Sequence, residues 1–419
     1  MVYLMGQIEP GACCPLTMTY ASVPPLRAGG AAFAPWVAGA LSGRHDPASR
    51  PAPDKSGLMI GMAMTEKQGG SDVRANTTRA TPDGDGHRLT GHKWFCSAPM
   101  SDAFLTLAYE DAGLSCFLVP RWTPDAERNA IQLQRLKSKL GNRANASSEI
   151  EYHGAWARRL GDPGRGVPTI VEMVHHTRLD TAMQPAALMR RALDEAAWWA
   201  RGRSAFQKRL IDQPLMQNVL GDLALDWIGA LTMGLRVAEA FESDAPQDRA
   251  FARIAVALAK YWSNKRAPAV IVEAMECLGG MGYVEDTPMP MLYREAPLNS
   301  IWEGSGNVIC LDILRTLAKA PLAGEALAAE IMAARGRDAR FDHAAEDMVR
   351  ALKGPIPEGD ARWTAERLAI LLQASLLLRD PPEDGVAEAF VATRVAGDWG
   401  RCAGTLPKGV DAARLAALI

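Results

Sequence analysis

The residues of this chain that could do chemistry begin with one carboxylate. Glu303 lies in Tyr-Arg-Glu-Ala-Pro-Leu-Asn-Ser-Ile-Trp-Glu-Gly-Ser-Gly-Asn (293–307), between Trp302 and Gly304-Ser305-Gly306, where a turn gives way to the apolar-periodic run Val308–Leu317. The glycines permit a tight turn and let a ligand come close to the backbone. Ser305 or Asn307 can cap the new helix, whose first N–H groups suit a polar or anionic cofactor edge. The same pattern also fits a plainer role, an acidic residue favoured by the helix dipole, so other stretches must decide.

A second stretch is Gly-Met-Ala-Met-Thr-Glu-Lys-Gln-Gly-Gly-Ser-Asp-Val (61–73), which leaves a strand and enters a loop. Backbone N–H groups at Gly69 and Gly70, together with Ser71, could hold a phosphate or a flavin edge; an ordinary turn has the same composition. A third is Gly-His-Lys-Trp-Phe-Cys-Ser (91–97), an aromatic strand ending in a hydroxyl, which is also what a β-core strand looks like.

The elements that must position these residues follow from periodicity. Residues 1–56, rich in Pro, Gly and Ala, read as short helices and loop. Over 57–155, short apolar runs at 58–64, 94–97, 104–108, 115–119, 131–136 and 148–152 recur at strand-and-turn spacing, with Gly84-Asp85-Gly86 the clearest turn. This predicts a small all-β barrel or sandwich. From 156 to 319 the period is helical: Val167–Arg201, Pro214–Ser243 with Leu220, Leu223, Ala224, Trp227 and Leu231 on one face, then Phe251, Ile254, Ala255, Leu258, Ala259 and Trp262. With the helix after Glu303 these predict an antiparallel four-helix bundle. Residues 320–419 read as a further C-terminal helical domain, with helices at 323–334, 343–352, 363–378 and 387–395. The fold class is therefore α+β.

Composition narrows the partners. The chain has 419 residues, 48% hydrophobic and 22% charged, with net charge −2, which gives no general attraction to nucleic acid or anionic membrane. Seven scattered cysteines without a Cys-x-x-Cys pair point to reduced thiols and a cytoplasmic protein. No apolar run approaches the ~18 residues of a membrane span. No metal site is expected, because adjacent His175 and His176 would diverge on a helix.

Taken together, Thr-Glu-x-x-x-Gly-Ser-Asp (65–72), Gly-x-Lys-Trp (91–94), Leu-Gly-Gly-x-Gly-Tyr (278–283) and Trp-Glu-Gly-Ser (302–305) resemble, in order, the motifs of the acyl-CoA dehydrogenase family of flavoproteins. Met64–Asp72 and Asn299–Asn307 look most like its AidB-like, alkylation-damage-response branch. The resemblance implies FAD as cofactor and an acyl-CoA thioester as substrate. Glu303 matches the base that removes the α-proton while the β-hydrogen leaves as hydride to flavin N5. Met62, Met64 and Thr65 would border the flavin ring, Gly70 and Ser71 would approach its phosphate side, and Phe95, Cys96 and Ser97 would back the ring. Ile301, Trp302, Ser305 and Asn307 match cofactor contacts around the glutamate. Arg203, in Arg-Ser-Ala-Phe (203–206), matches an arginine that reaches the FAD of a neighbouring subunit, which implies a homodimer or homotetramer. Arg178, in Thr-Arg-Leu-Asp (177–180), matches an arginine near the base, though a structural helix arginine would read the same. Burial beside Trp302 is expected to raise the Glu303 pKa from ~4.3 toward neutrality, and a placed general base contributes roughly 10²–10⁴ in rate.

Three departures qualify the match. Gln207 replaces a glycine after the Arg-x-x-Phe pair, and Glu276 stands where the family commonly has Gln. The family's N-terminal helical domain is also longer than 56 residues, so the chain is expected to begin at an internal or misassigned start, with one wall of the flavin and acyl pocket missing. Two alternatives remain open. One is a flavin-containing protein of the alkylation-damage response that binds double-stranded DNA through its C-terminal domain. That domain has 13 Lys+Arg and 15 Asp+Glu from Thr316 to Ile419, hence 13 − 15 = −2, and its Arg335, Arg337 and Arg340 could form a solvated helix face. The other is a self-assembling member without turnover.

Overall fold

The computed structural model describes all 419 residues. They form two compact units, Glu9–Thr177 and, together, Met1–Ile8 with Arg178–Ile419. Four short helices open the chain: α1 (Val2–Met5), α2 (Pro10–Ala21), α3 (Val23–Ala28) and α4 (Ala34–Ala40). Pro10 starts α2, where its missing N–H costs nothing, and the Glu9 carboxylate accepts from Gly11 N at 2.9 Å.

The first unit carries seven strands: β1 (Ile60–Ala63), β2 (Arg79–Asp83), β3 (Gly86–Ser97), β4 (Ala103–Glu110), β5 (Gly113–Pro120), β6 (Ile131–Leu136) and β7 (Ser147–Leu160). β4 pairs with β5, β5 with β7, β7 with β3, β3 with β2, and β2 returns to β4 through Arg79 and Tyr109. The ring of pairings closes a small barrel, with β1 parallel beside β4 and β6 along β7. β3 buries Leu89, Lys93 and Cys96, the odd spacing from 93 to 96 coinciding with a register shift there, and Leu89 and Cys96 join Phe104, Phe117, Ile150 and Tyr152 in the core. Periodicity does not reveal β2: Arg-Ala-Thr-Pro-Asp buries only Ala80 and contains Pro82, so it carries little apolar signal and, Thr81 apart, little strand propensity.

The second unit is helical. α5 (Gly166–Gly202) contains the point at which the two units divide. It is followed by α6 (Pro214–Glu242), α7 (Pro246–Cys277), α8 (Met289–Glu295), α9 (Gly306–Lys319), α10 (Pro321–Met332), α11 (Ala339–Ala351), α12 (Ala361–Arg379), α13 (Val386–Phe390) and α14 (Ala412–Ala416). Proline at the first position starts α6, α7 and α10. Most of the predicted stripes are buried, Leu220, Leu223, Ala224 and Trp227 on α6 and Phe251, Ile254, Ala255, Leu258 and Ala259 on α7, while Leu231 and Trp262 are only partly buried. One hydrophobic cluster runs through these helices from Ala182 to Ile419.

Within that cluster the final segment is tied down by charge. Arg394 donates to Asp222 at 2.6 Å and Asp226 at 3.1 Å, Arg266 donates to Asp226 at 2.8 Å, and Trp399 Nε1 donates to Asp222 at 2.9 Å. Burial alone would raise the Asp226 carboxyl, but the two guanidinium groups hold it at about 2. No helix is long and apolar enough to cross a membrane.

Candidate active site

Glu303 sits in the turn before α9 rather than in the first turn of that helix, which carries no acidic residue. Its φ is +56°, followed by Gly304 at +101°. A left-handed conformation costs an L-residue roughly 1–2 kcal/mol, so the turn must be held from outside. Three neighbours hold it. Arg178 Nε, on α5, donates to the Glu303 carbonyl at 3.1 Å; Lys260 Nζ, on α7, donates to the Gly304 carbonyl; Ser300 Oγ donates to the Asn264 carbonyl at 3.1 Å. Gly304 is favoured by its φ, which an L side chain rarely adopts.

Arg178 is itself fixed. Its Nη1 donates to Asp312 at 2.8 Å, and Arg253 grips the same carboxylate at 2.9 and 3.2 Å. Burial would raise the Asp312 carboxyl, yet the hydrogen bond from Arg253 and the charges of Arg178 and Arg253 hold it below its ordinary value. Trp302 donates its indole N–H to Asn299 at 2.7 Å, and Ile301 is 65% exposed. Ser305 occupies the N-cap position, but neither it nor Asn307 caps the helix with its side chain, against the sequence expectation. With β-region backbone at Ser305 and glycine next, the helix start has the right geometry and leaves the hydroxyl unused.

The barrel gathers the other predicted residues. Trp94 N donates to the Thr65 carbonyl at 2.7 Å, which ties the chain just after β1 to β3. Gly70 approaches Thr65 so closely that a Cβ would lie 2.5 Å from its hydroxyl. Phe95 is 48% exposed. Cys96 is the odd member: its side chain is fully buried in the barrel core and burial pushes the thiol up to about 12, so only its backbone faces the side that presents Phe95 and Ser97. The hydroxyls of Thr65, Ser71 and Ser97 make no hydrogen bond within the chain.

The charged residues of these two motifs serve the scaffold. Glu66 and Lys93, both fully buried, pair at 2.9 Å inside the barrel, and Lys93 also donates to the Leu107 carbonyl at 2.8 Å. Glu66 accepts from Thr77 N at 2.7 Å, Thr77 Oγ1 at 2.9 Å and Thr78 Oγ1 at 2.6 Å. Nothing in either motif taken alone signals this pairing. Lys260 was missed in the same way, although a lysine beside the apolar stripe 251, 254, 255, 258, 259 was a visible irregularity.

Arg203 follows the end of α5, 203 − 178 = 25 residues past Arg178 and so roughly 38 Å along the helix axis. It opens a small hairpin, Ser204–Ala205 with Lys208–Arg209, whose tip is Phe206 and Gln207, both at positive φ. Phe206 is 95% exposed. Gln207 at φ +65° thus takes a conformation that favours the glycine it replaces. In the C-terminal helices, Arg335 pairs with Glu346 at 2.7 Å, Arg340 with Asp338 at 2.6 Å, and Arg337 donates to the Leu378 carbonyl at 3.0 Å.

Against known families, the C-terminal domain of acyl-CoA dehydrogenases matches residues 164–318, their middle domain 61–155, and the N-terminal domain of the adaptive response protein AidB 1–47. The chain belongs to the acyl-CoA dehydrogenase family. Within it the chain is AidB-like: it is 47% identical over 358 residues to the putative acyl-CoA dehydrogenase AidB of Escherichia coli, covering 85% of this chain and 66% of that protein. Among solved structures, Caenorhabditis elegans ACDH-11 in complex with C11-CoA matches with a TM-score of 0.81 at 29% identity, covering 92% of this chain and 70% of that one. A protein described as Bd2924, apo-form, matches at 0.78 and 31%, covering 87% and 74%. The chain spans 44–66% of the length of the curated relatives it matches.

Proposed function

We propose that the chain is an FAD-dependent oxidoreductase acting on acyl-CoA thioesters, with Glu303 as the general base. The observation that carries this reading is the Glu303 turn, a strained carboxylate-bearing turn over-determined by Arg178, Lys260 and Ser300. Strain held in this manner is characteristic of functional sites. Glu303 would take the proton α to the thioester carbonyl. Arg178 acts on the main chain of the turn, so it would position the base rather than touch substrate.

The barrel residues suit a flavin. Met62, Met64 and Phe95 offer apolar surface, and Thr65, Ser71 and Ser97 offer hydroxyls that the chain itself leaves unused. When bound, FAD supplies the acceptor for the hydride equivalent that leaves the substrate. Residues 57–155 would form the flavin-contacting domain, α5, α6, α7 and α9 within 156–319 the four-helix bundle that carries the base, and 320–419 the C-terminal domain. Arg203, far along α5 from Arg178 and close to an exposed Phe206, would serve a second copy of the chain, in a homodimer or homotetramer. The thioester class is supported by the solved relative complexed with C11-CoA. For duplex DNA binding the support is weaker: Arg335 and Arg340 are matched by carboxylates and Arg337 by a carbonyl, leaving little spare positive charge for phosphates.

The test is spectroscopic. FAD-loaded protein should lose its visible flavin absorbance when an acyl-CoA is added without oxygen, and Glu303→Gln should keep its colour and fail to bleach. Protein that takes up no FAD, or Glu303→Gln that bleaches at the wild-type rate, overturns the reading. Salt-sensitive retardation of duplex DNA would favour the alternative.

A further inference from the structure

Below the 299–306 turn the helices bury polar groups that packing alone does not require. Lys260 is 1% exposed, and its bond to the Gly304 carbonyl is the one hydrogen bond its ammonium makes within the chain, against three N–H donors. One helical turn further on, Asn264 is also 1% exposed. Its Nδ2 donates to the carbonyls of Thr181 at 2.9 Å and Lys260 at 2.7 Å, while its Oδ1 has no partner. A methionine would fill the place of Lys260 without desolvating a charge.

The charges that face Lys260 come from three elements. Glu303 attracts it from the turn; Arg178, from α5, and Lys265, from α7, repel it. Asp312 of α9 is held between Arg178 and Arg253. Burial pulls the Lys260 ammonium down, the Glu303 carboxylate pulls it back, the two cations lower it again, and the result is about 7.

We propose that Lys260 is a positioning residue for Glu303, fixing the 303–304 turn through the Gly304 carbonyl and holding the Glu303 side chain as a carboxylate. This rests on the reading of Glu303 as the base. The physical argument is reciprocity: an ammonium close to a carboxylate favours the ionised form of both, by roughly one to three pH units for the acid. Removing the positive charge should therefore move the protonation of Glu303 upward and carry the acid limb of the rate profile with it. Deprotonation of Lys260 near neutrality would act in the same direction, so that the base strengthens as the pH rises.

Two variants separate charge from hydrogen bonding. Lys260→Gln can still donate to Gly304 and lacks the charge; Lys260→Arg keeps both. Glu303 is titrated directly in protein carrying glutamate labelled with carbon-13 at the carboxyl, its resonance being the one lost in Glu303→Gln. The pH profile of kcat/KM is followed in parallel in the FAD-loaded protein. In Lys260→Gln the Glu303 midpoint should rise by about one unit or more, and the acid limb of the kcat/KM profile should move to higher pH by the same amount. Lys260→Arg should stay at the wild-type midpoint. An unchanged midpoint in Lys260→Gln overturns the proposal, and if that variant does not fold, Lys260→Met is judged by the same midpoint. Should Glu303→Gln retain turnover, the base assignment fails separately, and the labelled carboxyl still decides whether Lys260 holds it.

Discussion

Glu66 and Glu303 stand in the two motifs that most invite a chemical reading, and each has a buried lysine as neighbour. Their surroundings differ in which atoms they fix. Glu66 is fully buried and accepts from Lys93, from the amides and hydroxyls of Thr77 and Thr78, and from Gln68 at 3.1 Å. Burial alone would raise its carboxyl, but the Lys93 charge and these donors hold it well below the ordinary range. Such a group is committed to its ionised form and has no lone pair left for a substrate proton. At Glu303 the fixing contacts act on the main chain of the turn, through Arg178 and Lys260, and the side chain is half-buried. The Glu66 carboxylate is fixed through its own oxygens, whereas the Glu303 turn is fixed through main-chain carbonyls.

Breaking that contrast should give its largest effect at Glu303. Glu303→Gln is expected to lower turnover roughly 10²–10⁴-fold, with a urea midpoint close to wild type; a lost fold alongside lost activity would erase the distinction. Glu66→Ala should do the reverse and destabilise the protein by about 3–5 kcal/mol, because it strands Lys93 in the barrel. Chemical denaturation reads this directly. The pH dependence has a definite sign: with the folded Glu66 carboxyl depressed, its contribution is complete above the unfolded value of ~4.3 and is lost as the pH falls below it. Wild type should therefore weaken more steeply on acidification than Glu66→Gln.

Two smaller changes sharpen the comparison. Arg178→Met removes the bond to the Glu303 carbonyl and one of the two grips on Asp312, and should cost about 1–3 kcal/mol of stability. It should also reduce kcat while leaving FAD content unchanged. Glu303→Gly is the smallest in stability and the most telling in sign. By relieving the left-handed backbone it should raise stability by about 1 kcal/mol while abolishing turnover. A destabilised Glu303→Gly would mean that the side chain supports the turn instead of being supported by it.

Much of the architecture was legible in sequence. The helices at 214–243 and 323–334 end within a few residues of α6 and α10, and strand 131–136 is β6. These elements announce themselves through apolar periodicity, which is a local property. β2 stayed hidden because Arg-Ala-Thr-Pro-Asp buries a single residue. Cys96 stands among the predicted flavin neighbours by motif, yet pleating turns its thiol inward.

Sequence by itself therefore determined the type of most elements and the family, since these depend on nearest neighbours along the chain or on motifs read in order. Tertiary structure alone decided which charges are spent. Lys93 is 27 residues from Glu66, Lys260 is 44 from Gly304, and Arg178 is 134 from Asp312. Burial and pairing between groups so far apart exist only once the chain has folded, and they decide which atoms of each glutamate segment are fixed.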